Sequence, residues 1–205
     1  MDNRKIYEFF VYSCMGVSYD DEPRIVISRI IDRAYRDAAS HVLTGMTKNA
    51  RKTNRGAASK AIYKAVCNSI ENYDKWHEKL CKRLQNCYAH VSSFSYGIAQ
   101  KWVNMTVKYL YCYYIVSDNS KFNIAVDSLL QHIKSFHAPI DGYILEKLKD
   151  PDKWSKDISN PKIYNEKRKL IISQKNDSDS ELDWEIDNWV NEASKRRKMD
   201  FYDET

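Results

Sequence analysis

The sequence is short of glycine and proline. Its 205 residues hold 5 Gly and 4 Pro, where average usage would give roughly 14 and 10. Antiparallel β folds and dinucleotide-binding α/β folds spend glycines on tight turns and phosphate loops, so both classes are disfavoured. No apolar run approaches the ~18 residues of a membrane span. Met1 to Arg4 is charged and lacks the apolar core of a secretion signal. The five cysteines Cys14, Cys67, Cys81, Cys87 and Cys112 form no Cys-x2-Cys pair and read as buried free thiols. His132 and His137 do not share a helix face, so they make no metal pair. P-loop, Gly-x-Ser-x-Gly and His-Glu-x-x-His motifs are absent, which disfavours P-loop phosphotransfer and serine hydrolysis. The expectation is a soluble, intracellular chain that needs no metal or cofactor.

What remains is helical. Apolar spacing follows i, i+3/i+4 nearly everywhere. It predicts helices over 4–15, 23–43, 57–70, 71–87, 97–116, 121–135, 140–149 and 182–197. Gly45 is expected to cap the second of these, and Asp118 to cap the one from 121. Residues 46–56 read as a basic polar loop and 88–96 as a turn. The fold class expected is all-α, a compact bundle of about nine or ten helices in a single domain, 1–205.

Charge is uneven. Residues 41–110 hold 12 basic against 3 acidic side chains, while the tail, 151–205, holds 11 against 13. A basic central region beside an acidic tail that packs back on it suggests an anionic partner such as nucleic acid.

Two short stretches carry chemistry. In Gly97-Ile98-Ala99-Gln100-Lys101-Trp102-Val103-Asn104, the helical wheel leaves a narrow polar stripe of Gly97, Lys101, Asn104 and Lys108. Lys101 lies one turn into an otherwise largely apolar helix, a setting in which a lysine can act as an amine nucleophile. In His137-Ala138-Pro139-Ile140-Asp141, the carboxylate stands at a helix start, where it suits the helix dipole.

Together these stretches resemble the helix-hairpin-helix DNA glycosylases, a superfamily that includes endonuclease III and the archaeal 8-oxoguanine glycosylases. The family motif reads Gly-Val-Gly-x-Lys-x-Ala-Asn, followed later by Val/Pro-Val-Asp. Here Ala99 replaces the second hairpin glycine, and no cysteine cluster matches the iron–sulfur site of endonuclease III. The resemblance implies a helix-hairpin-helix-like element and excision of a damaged or modified base from double-stranded DNA, as in base-excision DNA repair. It implies Lys101 as Schiff-base nucleophile and Asp141 as catalytic carboxylate, giving a glycosylase with AP lyase activity. DNA contacts are then expected from Gly97, Gln100 and Asn104, with Lys48, Arg51, Lys52 and Arg55 on phosphates. Tyr96 and Trp102 are expected to line the base pocket or wedge the gap, with Trp154, Trp184 and Trp189 as further aromatics.

Two other readings stay open. Arg83 and His90 have a spacing similar to the catalytic motif of HEPN-type ribonucleases, which are also all-α. A non-enzymatic helical protein that binds DNA or a partner would also explain the basic region.

Overall fold

A computed structural model of the chain describes residues 3–40, 43 and 46–203, with side chains as far as residue 195. Among the described residues are ten α-helices, one 3-10 helix and no strand. The chain is all-helical, as its composition and periodicity require.

The order is α1 (Asn3–Met15), α2 (Pro23–Ala38), α3 (Lys48–Cys67), α4 (Tyr73–Cys87), α5 (Tyr96–Val116), α6 (Ser120–Ala125) and α7 (Asp127–Leu130). The 3-10 helix (Ile133–Ser135) follows, then α8 (Gly142–Lys147), α9 (Pro161–Ile172) and α10 (Glu181–Asp203).

Helix α5 is the axis of the bundle. Ser95 caps it, its hydroxyl accepting from the Ile98 N–H. Ile98, Trp102, Val103, Val107 and Leu110 are all buried. Against it packs α2, whose Val26, Ile27, Ile30, Ile31, Ala34 and Tyr35 form the apolar stripe that the spacing predicts. The Trp102 indole donates to the Ile31 carbonyl at 3.1 Å. Helix α4 packs on another side of α5, and α3 lies on α4 and α2. The last helix, α10, packs across α8 and α9.

Several boundaries differ from the sequence reading. Helix α3 starts at Lys48, with the Thr47 hydroxyl accepting from the Ala50 N–H, so most of the expected basic loop is helical. Lys, Arg and Ala are good helix formers, and no proline interrupts them. Helix α2 ends at Ala38 rather than near 43, and Gly45 lies outside the described residues. The single helix expected over 121–135 is three short pieces, capped by the Asn119 side chain rather than Asp118. Helix α9 was not expected. Pro161 opens it, and the Asn160 side chain accepts from the N–H groups of Lys162 and Ile163. Of the cysteines, Cys81 is buried, but Cys14 and Cys67 are exposed.

The start of α5 meets the tail backbone directly. The Gly97 N–H donates to the Ile158 carbonyl at 2.7 Å. A Cβ on Gly97 would lie 1.8 Å from the Trp154 carbonyl oxygen. Backbone cannot swing aside as a side-chain tip can, so Gly97→Ala is expected to destabilise the fold by about 3 kcal/mol, the upper end for overpacking. Urea unfolding followed by circular dichroism measures it, and a change within about 0.5 kcal/mol would contradict this packing.

Candidate active site

The site begins with an amide. Gln100 is fully buried on α5. Its Nε2 donates to the carbonyls of Gly97 and Ile140, and its Oε1 accepts from the Ile140 N–H. Asn104, one turn on, donates to the Ala138 carbonyl at 3.0 Å and to the Tyr164 hydroxyl at 2.9 Å. Residues 138–140 are thus held along α5 by two side-chain amides, much as a neighbouring strand would hold them. A polar network, buried at Tyr164 and His137 and reaching the surface at Asp74, anchors the residue before them. The Tyr164 hydroxyl donates to His137 Nδ1, and His137 Nε2 donates to Asp74. This bond from His137, with the Arg168 guanidinium beside it, holds the Asp74 carboxyl well below the usual carboxylate range. Burial keeps His137 on the neutral side.

The consequence falls on Asp141. Its Oδ1 caps α8, accepting from the N–H groups of Tyr143 and Ile144. Its Oδ2 lies 3.2 Å from Lys101 Nζ and accepts from the Trp189 indole N–H. The Lys101 ammonium also sits over the Trp154 ring, 4.5 Å from its centre. The two side chains are 12% and 8% exposed, so the pair is mostly sheltered yet reachable.

Seven residues further along α5, Lys108 repeats the arrangement. Its Nζ lies 2.6 Å from Glu185 Oε2 and 5.7 Å from the centre of the Trp189 ring. Both lysines open into one pocket of about 480 Å³. Tyr143, Trp189 and Met105 line it, and Arg33 and Asp37 of α2 close one side. Asp37 is held by the Tyr109 hydroxyl at 2.6 Å and by Arg33 at 3.0 Å. This is a mostly apolar, aromatic pocket with a few convergent polar groups, the usual make-up of a small-molecule site. Glu185 lies behind Lys108 with its side chain 1% exposed. Burial pushes its carboxyl up to about 7, although Lys108 pulls it down.

Of the residues singled out in the sequence, Lys101 and Asp141 meet. Trp154 and Trp189 stand beside them, and several of the others need correction. Gln100, Asn104 and Gly97 are buried and bind protein backbone, so they present nothing to DNA. The Gly97 N–H is taken by Ile158 and is not free for a phosphate. Tyr96 and Trp102 are core residues, each about 1% exposed or less, and neither lines the pocket holding Lys101. Trp189 and Tyr143 hold that place, and Trp184 is buried. Lys48 and Lys52 are exposed on the first turns of α3. Arg51 donates to the Leu43 carbonyl, while Arg55 pairs with Asp32 and lies over Tyr35. Arg83 and His90 are both exposed. Arg83 lines a separate groove between α3 and α4 that His90 does not reach. The sequence reading missed Glu185, Asp37, Tyr109 and Tyr143. Only the Lys101–Lys108 stripe hinted at them, because its positive charges need partners from elsewhere.

The raised Glu185 carboxyl has a defined effect on stability. Between its ordinary value, 4.5, and about 7, the folded chain keeps a proton that the unfolded chain has released. The contribution of Glu185 to stability therefore falls as pH rises through that window. The stability difference between wild type and Glu185→Gln is expected to shift in favour of the variant from pH 5 to pH 8, by about 2–3 kcal/mol. Urea titrations of both proteins across that range measure it, and a pH-independent difference would rule it out.

No protein-family model, no curated protein and no solved structure matches the chain.

Proposed function

We propose that this pocket excises a damaged or modified base from double-stranded DNA, with Lys101 as nucleophile and Asp141 as its carboxylate partner. The observation that carries the reading is the 3.2 Å contact between Lys101 Nζ and Asp141 Oδ2 inside an aromatic pocket. The two residues are 40 positions apart in the chain, and their meeting puts an amine and an acid–base group on one reacting centre.

The chemistry follows from that pair. The Lys101 ammonium gives up a proton through Asp141 Oδ2 to solvent, which reaches the pair, and becomes a neutral amine while Asp141 stays ionised. The amine attacks the deoxyribose C1′, and the glycosidic bond breaks with its electrons leaving on the base. The Asp141 carboxylate steadies the positive charge that builds on the sugar. Ring opening gives an imine at Lys101, and β-elimination then cleaves the strand. A base reaches this centre only by leaving the stack, which costs a few kcal/mol. The faces of Trp189 and Tyr143, T-shaped to one another at 5.2 Å, supply apolar contact that offsets part of it. Exposed Arg36 on α2 and Lys48 and Lys52 on α3 offer sequence-independent phosphate contacts.

The test uses wild type, Lys101→Gln and Asp141→Asn with end-labelled duplexes carrying 8-oxoguanine, uracil, alkylated purines, or hydroxymethylated or glucosylated cytosine. Base release by wild type is expected to drop about a hundredfold or more in each variant, and borohydride is expected to trap wild type on DNA but not Lys101→Gln. Release that persists in Lys101→Gln without strand nicking would leave Asp141 alone as the working residue. A folded wild type that binds DNA but releases no base would favour a binding protein instead.

A further inference from the structure

The mechanism above leaves one proton without a source. The departing base takes the bonding electrons and needs a proton to leave as a neutral molecule, and the Asp141–Lys101 pair is engaged at the sugar. We infer that Lys108 is the general acid that protonates the leaving base, with Glu185 behind it as the group that restores its proton. This inference rests on the glycosylase reading of the same pocket.

Three features point to it. First, Lys108 lines the same pocket as Lys101, on the same face of α5. Seven residues of helix separate their backbones by about 10 Å, which leaves room for a nucleobase whose sugar end meets Lys101 and whose far edge meets Lys108. Second, one side chain spans both ends. Trp189 donates to Asp141 Oδ2 through its indole N–H, and the Lys108 ammonium stands over its ring. A base lying along that wall touches both. Third, Glu185 is shut away from solvent and contacts Lys108 at 2.6 Å, so any proton it exchanges with the pocket passes through Lys108.

The other charged and titratable groups near the pair are few. They are Lys101, Tyr109 and Cys112 on α5, Asp141 at the head of α8 with Tyr143 beside it, and Arg33 and Asp37 on α2, Tyr109 being held protonated by burial. Arg33 and Asp37 pair with one another, as do Lys101 and Asp141. Burial pushes the Cys112 thiol up, so it stays protonated. Glu185, held near neutrality by its burial, is therefore suited to exchange protons at physiological pH. The step balances. The C1′–N bond breaks onto the base, Lys108 gives it one proton, the neutral Lys108 amine takes one from the Glu185 carboxyl, and a solvent proton later returns to Glu185 by way of Lys108.

The experiment compares leaving groups. Single-turnover release is followed for a neutral base that wild type excises, and for N7-methylguanine, which already carries the positive charge and needs no proton to leave. The proteins are wild type, Lys108→Gln, Lys108→Arg and Glu185→Gln. Lys108→Arg keeps the charge and the partner Glu185, so the fold is retained, but a guanidinium does not give up a proton. Both Lys108 variants are expected to slow the neutral base about a hundredfold and N7-methylguanine less than about threefold. An ionised Glu185 holds the Lys108 proton more tightly, so wild-type release of the neutral base is expected to fall above pH 7, and Glu185→Gln is expected to abolish that fall. Neutral-base release unchanged in Lys108→Arg, equal slowing of both bases, or an unaltered pH profile in Glu185→Gln would overturn the acid role alone. Absence of release from every duplex, N7-methylguanine included, would overturn the glycosylase reading beneath it.

Discussion

The architecture of the pocket depends on the reciprocal amide pairing between Gln100 and Ile140. A side chain with no charge carries out the part of a β-strand, donating to one backbone carbonyl and accepting from the same residue's N–H. In a dry interior such a pairing is costly to break, because each lost partner leaves a desolvated polar group. It fixes the register of residues 138–140 along α5. Lys101 follows Gln100 and Asp141 follows Ile140, so the register of the amide pair is also the register of the ion pair.

Charge within the pocket is balanced locally. Each lysine of the α5 stripe has its own carboxylate and its own tryptophan face. Buried ion pairs add little to stability, because desolvation offsets most of the attraction. Two of them in one cavity, next to a third pair formed by Arg33 and Asp37, are poorly explained as a way of holding helices together. Their sheltered but reachable placement is what supports the proposal of a reaction centre.

Much of the fold was legible in the residues. The stripe Val26, Ile27, Ile30, Ile31, Ala34 predicts the buried face of α2, and the apolar faces of 97–116 predict a central helix. The errors have local causes. The run from Lys48 to Arg55 looks like loop because it is polar, yet its residues favour helix and Thr47 caps it. Asn104 looks like a surface amide on the wheel, and the wheel cannot register that an extended segment 34 to 40 residues away lies on it and on Gln100. At the site, Lys101 and Asp141 were legible because each sits in a recognisable local pattern. Glu185 was not, because nothing in α10 distinguishes it from the acidic residues around it until Lys108, 77 residues earlier, is placed beside it.

That separation orders events in time. Synthesis from the N-terminus delivers Lys101, Gln100 and the 138–141 segment well before α10. Without α10 the pocket lacks Ile186, Trp189 and Val190, and one wall stands open to water. Only when the final helix docks does the cavity acquire its aromatic side and its second acid. Docking of α10 is thus the step that closes the pocket around Lys101 and Asp141.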